Sequence, residues 1–216
     1  MDTADRNRLS AAIYVTIIAA VAGGLIALSH DLSSERIDLN QRERVALRLQ
    51  EVLGRVEYDN DPETARYSLG VAGPPRTALP AAVYVAAQDG APVAFVFAVT
   101  AARGYNGPIG LLVGITADGH IAGVRVTSHR ETPGLGDAIE AGKSSWIDGF
   151  AGTHLGAPPL ADWRVAKDGG TFDAITGATV TPRAVVEAVR DTLVYFRDHR
   201  GELLALSNEE LDLAND

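Results

Sequence analysis

The chain has 216 residues, 19 Lys+Arg against 28 Asp+Glu for a net charge of −9, and no cysteine. An acidic balance argues against nucleic acid, whose phosphates call for a basic face. The absence of cysteine excludes disulfides, thiolate metal sites, thiolate-held iron–sulfur clusters and cysteine nucleophiles, but does not fix the compartment.

Leu9 to Leu28 reads LSAAIYVTIIAAVAGGLIAL, without a charged residue. About 20 apolar residues are what a bilayer core of roughly 30 Å demands of a helix. The alternative is a cleaved signal peptide, for which Ala27-Leu28-Ser29 would serve as the cleavage site. A signal core usually runs only about 7–15 residues, which favours a retained anchor. Arg6 and Arg8 precede the span, and Arg36 is the next arginine after it. That bias predicts a cytoplasmic N-terminus, with the rest of the chain outside the cytoplasm.

Residues 31–54 are charge-rich, with Ile37, Val45, Leu49, Val52 and Leu53 at roughly helical intervals. They predict a stalk helix, capped by Ser33 or Ser34 and ended by Gly54. Residues 57–80 read as loop and turn. From Ala81 the pattern becomes β. Runs at 81–86 and 93–99 flank Asp89-Gly90, and runs at 111–116 and 121–127 flank Asp118-Gly119. Strand, Asp-Gly, strand is a hairpin signal. Between the hairpins lies the turn-rich Arg103-Gly104-Tyr105-Asn106-Gly107-Pro108.

After the last of these strands comes Glu131-Thr132-Pro133-Gly134-Leu135-Gly136, either a plain connection or a backbone cradle for a ligand. Trp146 and Phe150 read as packing anchors, and Trp163-Arg164-Val165-Ala166 as one more short strand. Val185, Ala188, Val189, Leu193 and Phe196 give residues 182–200 an apolar helical face. Thr181 is the expected N-cap with Pro182 at the first helical position. The acidic tail from Glu202 carries leucines enough for a short packed helix.

The predicted order is a cytoplasmic N-terminus (1–8), a transmembrane helix (9–29), stalk and loop (30–80), a folded domain (81–200) and an acidic tail (201–216). The fold class is α+β: one N-terminal transmembrane helix, a stalk helix, then an antiparallel sheet with packed helices.

Asp173-Ala174-Ile175-Thr176-Gly177-Ala178-Thr179 lies just before the long helix, where unpaired N–H groups and the helix dipole favour an anion. Capping accounts for Thr181 and poorly for Thr179. A threonine hydroxyl is unreactive alone, and no nucleophile–base arrangement is visible, so Thr179 reads as an acceptor modified by another enzyme.

Asp173, Thr176, Gly177, Ala178 and Thr179 resemble the flavin-attachment motif of the FMN-binding domain family. Glu131, Thr132, Gly134, Leu135 and Gly136 match that family's second flavin-contacting motif. Over about residues 5–200 the chain is similar to the G-subunit family of the Rnf electron-transport complex. A related family is the C-subunit family of the sodium-translocating NADH:quinone reductase.

The resemblance implies FMN joined through its phosphate to the Thr179 hydroxyl, installed by a flavin transferase with FAD as donor. It implies that Thr176 touches the phosphate and that Asp173 serves transferase recognition or metal-assisted transfer. Gly134 and Gly136 would leave room for the ring, and backbone donors around them would favour reduced flavin.

It further implies a redox subunit rather than a stand-alone enzyme. The complex would exchange electrons between ferredoxin and NAD and move sodium or protons. Its partners would be iron–sulfur and flavin subunits in a bacterial inner membrane, with the flavin domain on the periplasmic side. The C-subunit family of the quinone reductase is the nearest alternative. A non-redox extracytoplasmic binding or assembly protein, with Thr179 unmodified, is the other.

Overall fold

In the computed structural model, which describes residues 45–69 and 80–209, five antiparallel strands form one meander in the order β1-β2-β3-β4-β5. They are β1 (Arg66–Ser68), β2 (Ala82–Gln88), β3 (Ala91–Ala101), β4 (Ile109–Thr116) and β5 (Ile121–Ser128). Helix α1 runs through 45–53, and α2 spans Val180–Glu209. The α+β class and both hairpins are as the sequence predicts. Asp89 and Gly90 both have positive φ (51° and 74°), the conformation a two-residue hairpin turn requires.

Both faces of the sheet are buried, which explains why the strands read as nearly unbroken apolar runs. Phe95, Phe97, Val99, Val113 and Ile115 face the larger core, which α2 covers. Phe196 sits 5.7 Å from Phe95 and 6.3 Å from Phe97, ring centre to ring centre. Ala94, Val96 and Leu112 face the other way, onto Leu49, Val52 and Leu53 of α1. Each fully buried side chain of this kind contributes about 1.5–3 kcal/mol by leaving water.

The α1 face depends on a cross-strand glycine pair. Gly114 and Gly123 lie opposite each other in β4 and β5. A Cβ on Gly123 would come within 2.6 Å of the Val52 carbonyl oxygen, and one on Gly114 within 2.6 Å of Val52 Cγ1. The bare backbone there is the seat on which α1 rests. Gly54, at φ +58° and with its N–H donating to the Gln50 carbonyl at 3.0 Å, ends the helix as expected.

Four expectations are corrected. Residues 57–80 are not all loop, because β1 pairs there with β2. The stretch from Trp163 to Ala166 is no strand: Val165 makes a single bridge to Phe172 between 3₁₀ turns. Helix α2 begins two residues before Pro182. It also runs on through Gly201 as one helix of 30 residues, because Leu203 remains buried against the same core. The predicted span (9–29), residues 30–44 of the stalk and the tail beyond 209 lie outside the described residues. Among the described residues no helix is long and apolar enough to cross a membrane.

Between β5 and α2 the chain winds through four short 3₁₀ turns held by aromatic rings. Phe150 stacks on Phe172 at 4.7 Å, and Trp163 tilts against Phe172 at 4.9 Å. Trp146 meets Phe150 edge-on at 5.4 Å and donates its indole N–H to the Asp173 carbonyl at 2.8 Å. This aromatic block fixes the approach to the Thr176–Thr179 turn.

Candidate functional site

Three segments converge beside the N-terminus of α2. The 103–108 loop joins β3 to β4, the 131–136 loop follows β5, and the 176–179 turn enters the helix. They enclose a cleft of about 340 Å³ lined by Tyr105, Glu131, Thr132, Leu135, Gly136 and residues 177–181. The two motifs, far apart in sequence, therefore face one another across a single cavity.

A buried carboxylate ties the segments together. Glu131, 5% exposed, accepts hydrogen bonds from the Thr181 hydroxyl and from the Asn106 backbone N–H, the latter at 3.0 Å. Its own N–H donates to His129 Nδ1 at 3.0 Å, and His129 Nε2 lies 2.8 Å from a Glu140 carboxylate oxygen. Asn106 reaches back through its side-chain amide to Thr132 Oγ1 at 3.1 Å. A buried carboxylate is costly unless donors satisfy it, and here a loop and a helix supply them.

This network corrects the role expected of Thr181. With α2 starting at Val180, Thr181 is inside the helix, and its fully buried hydroxyl serves Glu131 instead of capping. Thr179 occupies the cap position, its carbonyl accepting from the Arg183 N–H at 3.4 Å. The Thr179 side chain does not bond the helix amides. Its hydroxyl faces Lys167 Nζ at 3.4 Å in an exposed contact. Pro182 has no N–H, so Val180 and Thr181 hold the first-turn amides that lack an intrahelical acceptor.

The glycines of the two loops have packing roles of their own. A Cβ on Gly136 would lie 2.8 Å from Glu131 Cβ and 3.1 Å from Thr181 Oγ1, so this cleft-lining glycine makes room for the Glu131 network. The N–H groups of Leu135 and Gly136 both donate to the Thr132 carbonyl at 3.1 Å, so they are spent inside the loop. Gly134 adopts φ +77° at the turn without lining the cleft. Gly177 adopts φ +81°, which favours glycine, and its vacant Cβ direction lies 2.9 Å from Cδ2 of the exposed Leu135, where the two loops meet. Ala178 and Thr132 line the cleft, whereas exposed Thr176 and Asp173 lie off it.

Sequence reasoning missed Lys167, Tyr105, Asn106 and Val180. Tyr105, Leu135 and Val180 are large apolar side chains with high exposure (70%, 43% and 39%), and all three lie on this cleft. Lys167 does not line the cleft but meets the Thr179 hydroxyl at 3.4 Å, because the Lys167-Asp168-Gly169-Gly170 turn folds back tightly. Gly169 has φ +80°, and a Cβ on Gly170 would strike the Arg164 carbonyl at 2.1 Å. Arg183 of α2 clasps Asp168 with two hydrogen bonds of 2.6 and 2.8 Å, and this ion pair holds the Asp168 carboxyl below its ordinary range.

Residues 104–194 match the family model described as the FMN-binding domain. Over 206 residues the chain is 46% identical to the G subunit of the ion-translocating oxidoreductase complex of Pseudomonas aeruginosa, covering 95% of this chain and 96% of that one. It is 39% identical to the G subunit from Pseudoalteromonas atlantica, covering 91% and 92%. For the G subunit from Cereibacter sphaeroides the identity is 43%, covering 91% and 88%. The chain belongs to the G-subunit family of the ion-translocating oxidoreductase complex. A crystal structure of NqrC from Shewanella oneidensis aligns with a TM-score of 0.45 at 23% identity, over 71% of this chain and 81% of that one.

Every cleft-lining residue of this G-subunit family member falls within the FMN-binding match. The cleft suits such a ligand in kind. Its volume is at the lower end of the roughly 300–1,000 Å³ typical of ligand pockets, so a tricyclic ring would rest partly on the exposed apolar rim. At the N-terminus of α2 the Val180 and Thr181 amides, the Thr179 hydroxyl and the Lys167 ammonium lie together.

Proposed function

We propose that this chain is the flavin-carrying subunit of an ion-translocating electron-transport complex, with FMN held as a phosphoester on Thr179. The observation that carries this reading is the Thr179 hydroxyl itself. It stands at the lip of the cleft, takes no part in capping α2, and faces a cation.

The residues around it divide the work. The Thr179 oxygen would bond the FMN phosphorus of FAD, the pyrophosphate bond would break, and AMP would leave with its electron pair. The hydroxyl proton would pass to a base on the flavin transferase, since among the described residues no carboxylate or imidazole contacts Thr179, and Lys167 meets it as a cation. The Val180 and Thr181 amides and the helix dipole would favour the phosphate charge. Tyr105, Leu135 and Val180 would offer apolar surface to the ring. Glu131 would hold the three segments in register. When bound, the flavin supplies one- and two-electron transfer, which the protein tunes through burial and hydrogen bonding.

Covalent attachment suits a domain outside the cytoplasm, where free FMN is scarce and a dissociable site would empty. The apolar span of 9–29 would anchor the chain in the bacterial inner membrane, with the flavin domain on the periplasmic side. Its partners would be iron–sulfur and other flavin subunits; this chain has no cysteine to hold a cluster. The complex would couple ferredoxin:NAD electron exchange to ion movement.

The test is direct. The chain is co-expressed with a flavin transferase, denatured, run on a gel under ultraviolet light and weighed. In-gel fluorescence with a mass gain of about 438 Da (FMN less water) is expected. A colourless chain of unmodified mass sinks the proposal and leaves a non-redox binding or assembly role.

A further inference from the structure

Lys167 is a cation with an unusual setting. Among the described residues it makes no ion pair within 4.0 Å, and its hydrogen-bond partner is the Thr179 hydroxyl at 3.4 Å. A lysine on an exposed turn ordinarily wanders, because its four-carbon stem has large rotamer entropy. Here the next residue is clamped. Asp168 is bound twice by Arg183, which projects from the first turns of α2. The Gly169-Gly170 fold-back fixes the other side of the turn. The Asp168–Arg183 pair therefore satisfies the nearest carboxylate and guanidinium with each other, and Lys167 keeps its ammonium for the acceptor oxygen.

We propose that Lys167 is the phosphate-positioning cation of this site, pairing with the phosphoryl group as it is delivered to Thr179 and with the phosphoester once it has formed. The assignment rests on the reading of Thr179 as acceptor. The ammonium meets charge on the non-bridging oxygens, which both the pyrophosphate donor and the product carry. The Asp168–Arg183 clamp holds it in place, so Asp168 acts through Lys167 and not on the ligand.

The experiment is covalent loading of the full-length apo chain in detergent, with purified flavin transferase and FAD, followed by intact mass against time. Charge-assisted hydrogen bonds of this kind predict that Lys167→Gln and Lys167→Ala lower the loading rate about tenfold or more. Lys167→Arg keeps most of the rate, and Asp168→Asn falls between. The loss is in kcat, with the KM for the acceptor chain within about twofold of the parent. Thermal melting is unchanged in the Lys167 variants, since the side chain is exposed. Parental loading kinetics in Lys167→Gln overturn the assignment while leaving Thr179 as acceptor. A rise in KM alone also overturns it, marking Lys167 as a docking contact for the transferase. Failure of the parent chain itself to load overturns the Thr179 reading and this assignment with it.

Discussion

Thr181 and Glu131, 50 residues apart in sequence, are joined by a buried hydrogen bond from the threonine hydroxyl to the carboxylate. Through this bond the β5 exit loop is fastened to the first turn of α2, and the two motif segments share one cleft. Thr181→Val keeps the β-branched shape and removes the donor. A hydrogen bond to a charged group is worth about 1.5–3 kcal/mol, so a loss of that order is expected in urea unfolding. Glu131→Gln should cost less than Glu131→Ala, because the amide still offers an oxygen to the Asn106 N–H.

Gly136 and Gly123 make a matched pair of tests. Alanine at 136 would press its Cβ to 2.8 Å from Glu131 Cβ, and alanine at 123 would press to 2.6 Å from the Val52 carbonyl oxygen. Overpacking of this sort costs about 1–3 kcal/mol. Both variants should melt earlier. Only Gly136→Ala should also slow flavin loading, because Gly123 lies on the opposite face of the sheet, under α1. Equal effects on loading would mean that loading follows stability in general and not the shape of this cleft.

How far the sequence spoke depends on the range of the interaction. The apolar runs at 81–86 and 93–99 and the Asp89-Gly90 turn between them are local signals, and the sheet follows from them. The short strand β1 has no such signal: three residues, two of them exposed, gain their structure only by pairing with β2. Thr181 before proline has the look of a cap, and only the distant Glu131 claims its hydroxyl. Gly136 reads as ligand space, and only the folded chain shows that Glu131 also packs against it. Lys167 sits in a turn whose sequence states that the chain bends, not what the bend faces. The site's motifs were legible; their division of labour required the tertiary contacts.

Acid should weaken the clamp beside the site. The hydrogen bond from Arg183 holds the Asp168 carboxyl below its ordinary value of 3.8. A depressed carboxylate adds stability above its unfolded pKa and loses it as pH falls through the folded one. Asp168→Asn should therefore be slightly less stable than the parent at pH 7, with the gap closing below about pH 4. The pair is exposed, so the effect is small and shrinks with salt. Urea midpoints measured for both chains across that range check the sign; a gap that widens in acid contradicts it.

Thr179→Ala separates chemistry from structure at the residue on which the proposed function rests. The side-chain hydroxyl makes no bond to the helix amides, and the cap carbonyl that receives the Arg183 N–H survives the substitution. Loss of an N-cap hydroxyl that did bond those amides would cost about 1 kcal/mol. A smaller change in stability is expected here, with complete loss of covalent flavin by mass and in-gel fluorescence. Thr179→Ser should keep part of the loading, because the transfer needs a hydroxyl near Lys167 and not the methyl group. A Thr179→Ala chain that still carries covalent flavin would move the attachment elsewhere. One that unfolds readily would return Thr179 to the role of a helix cap.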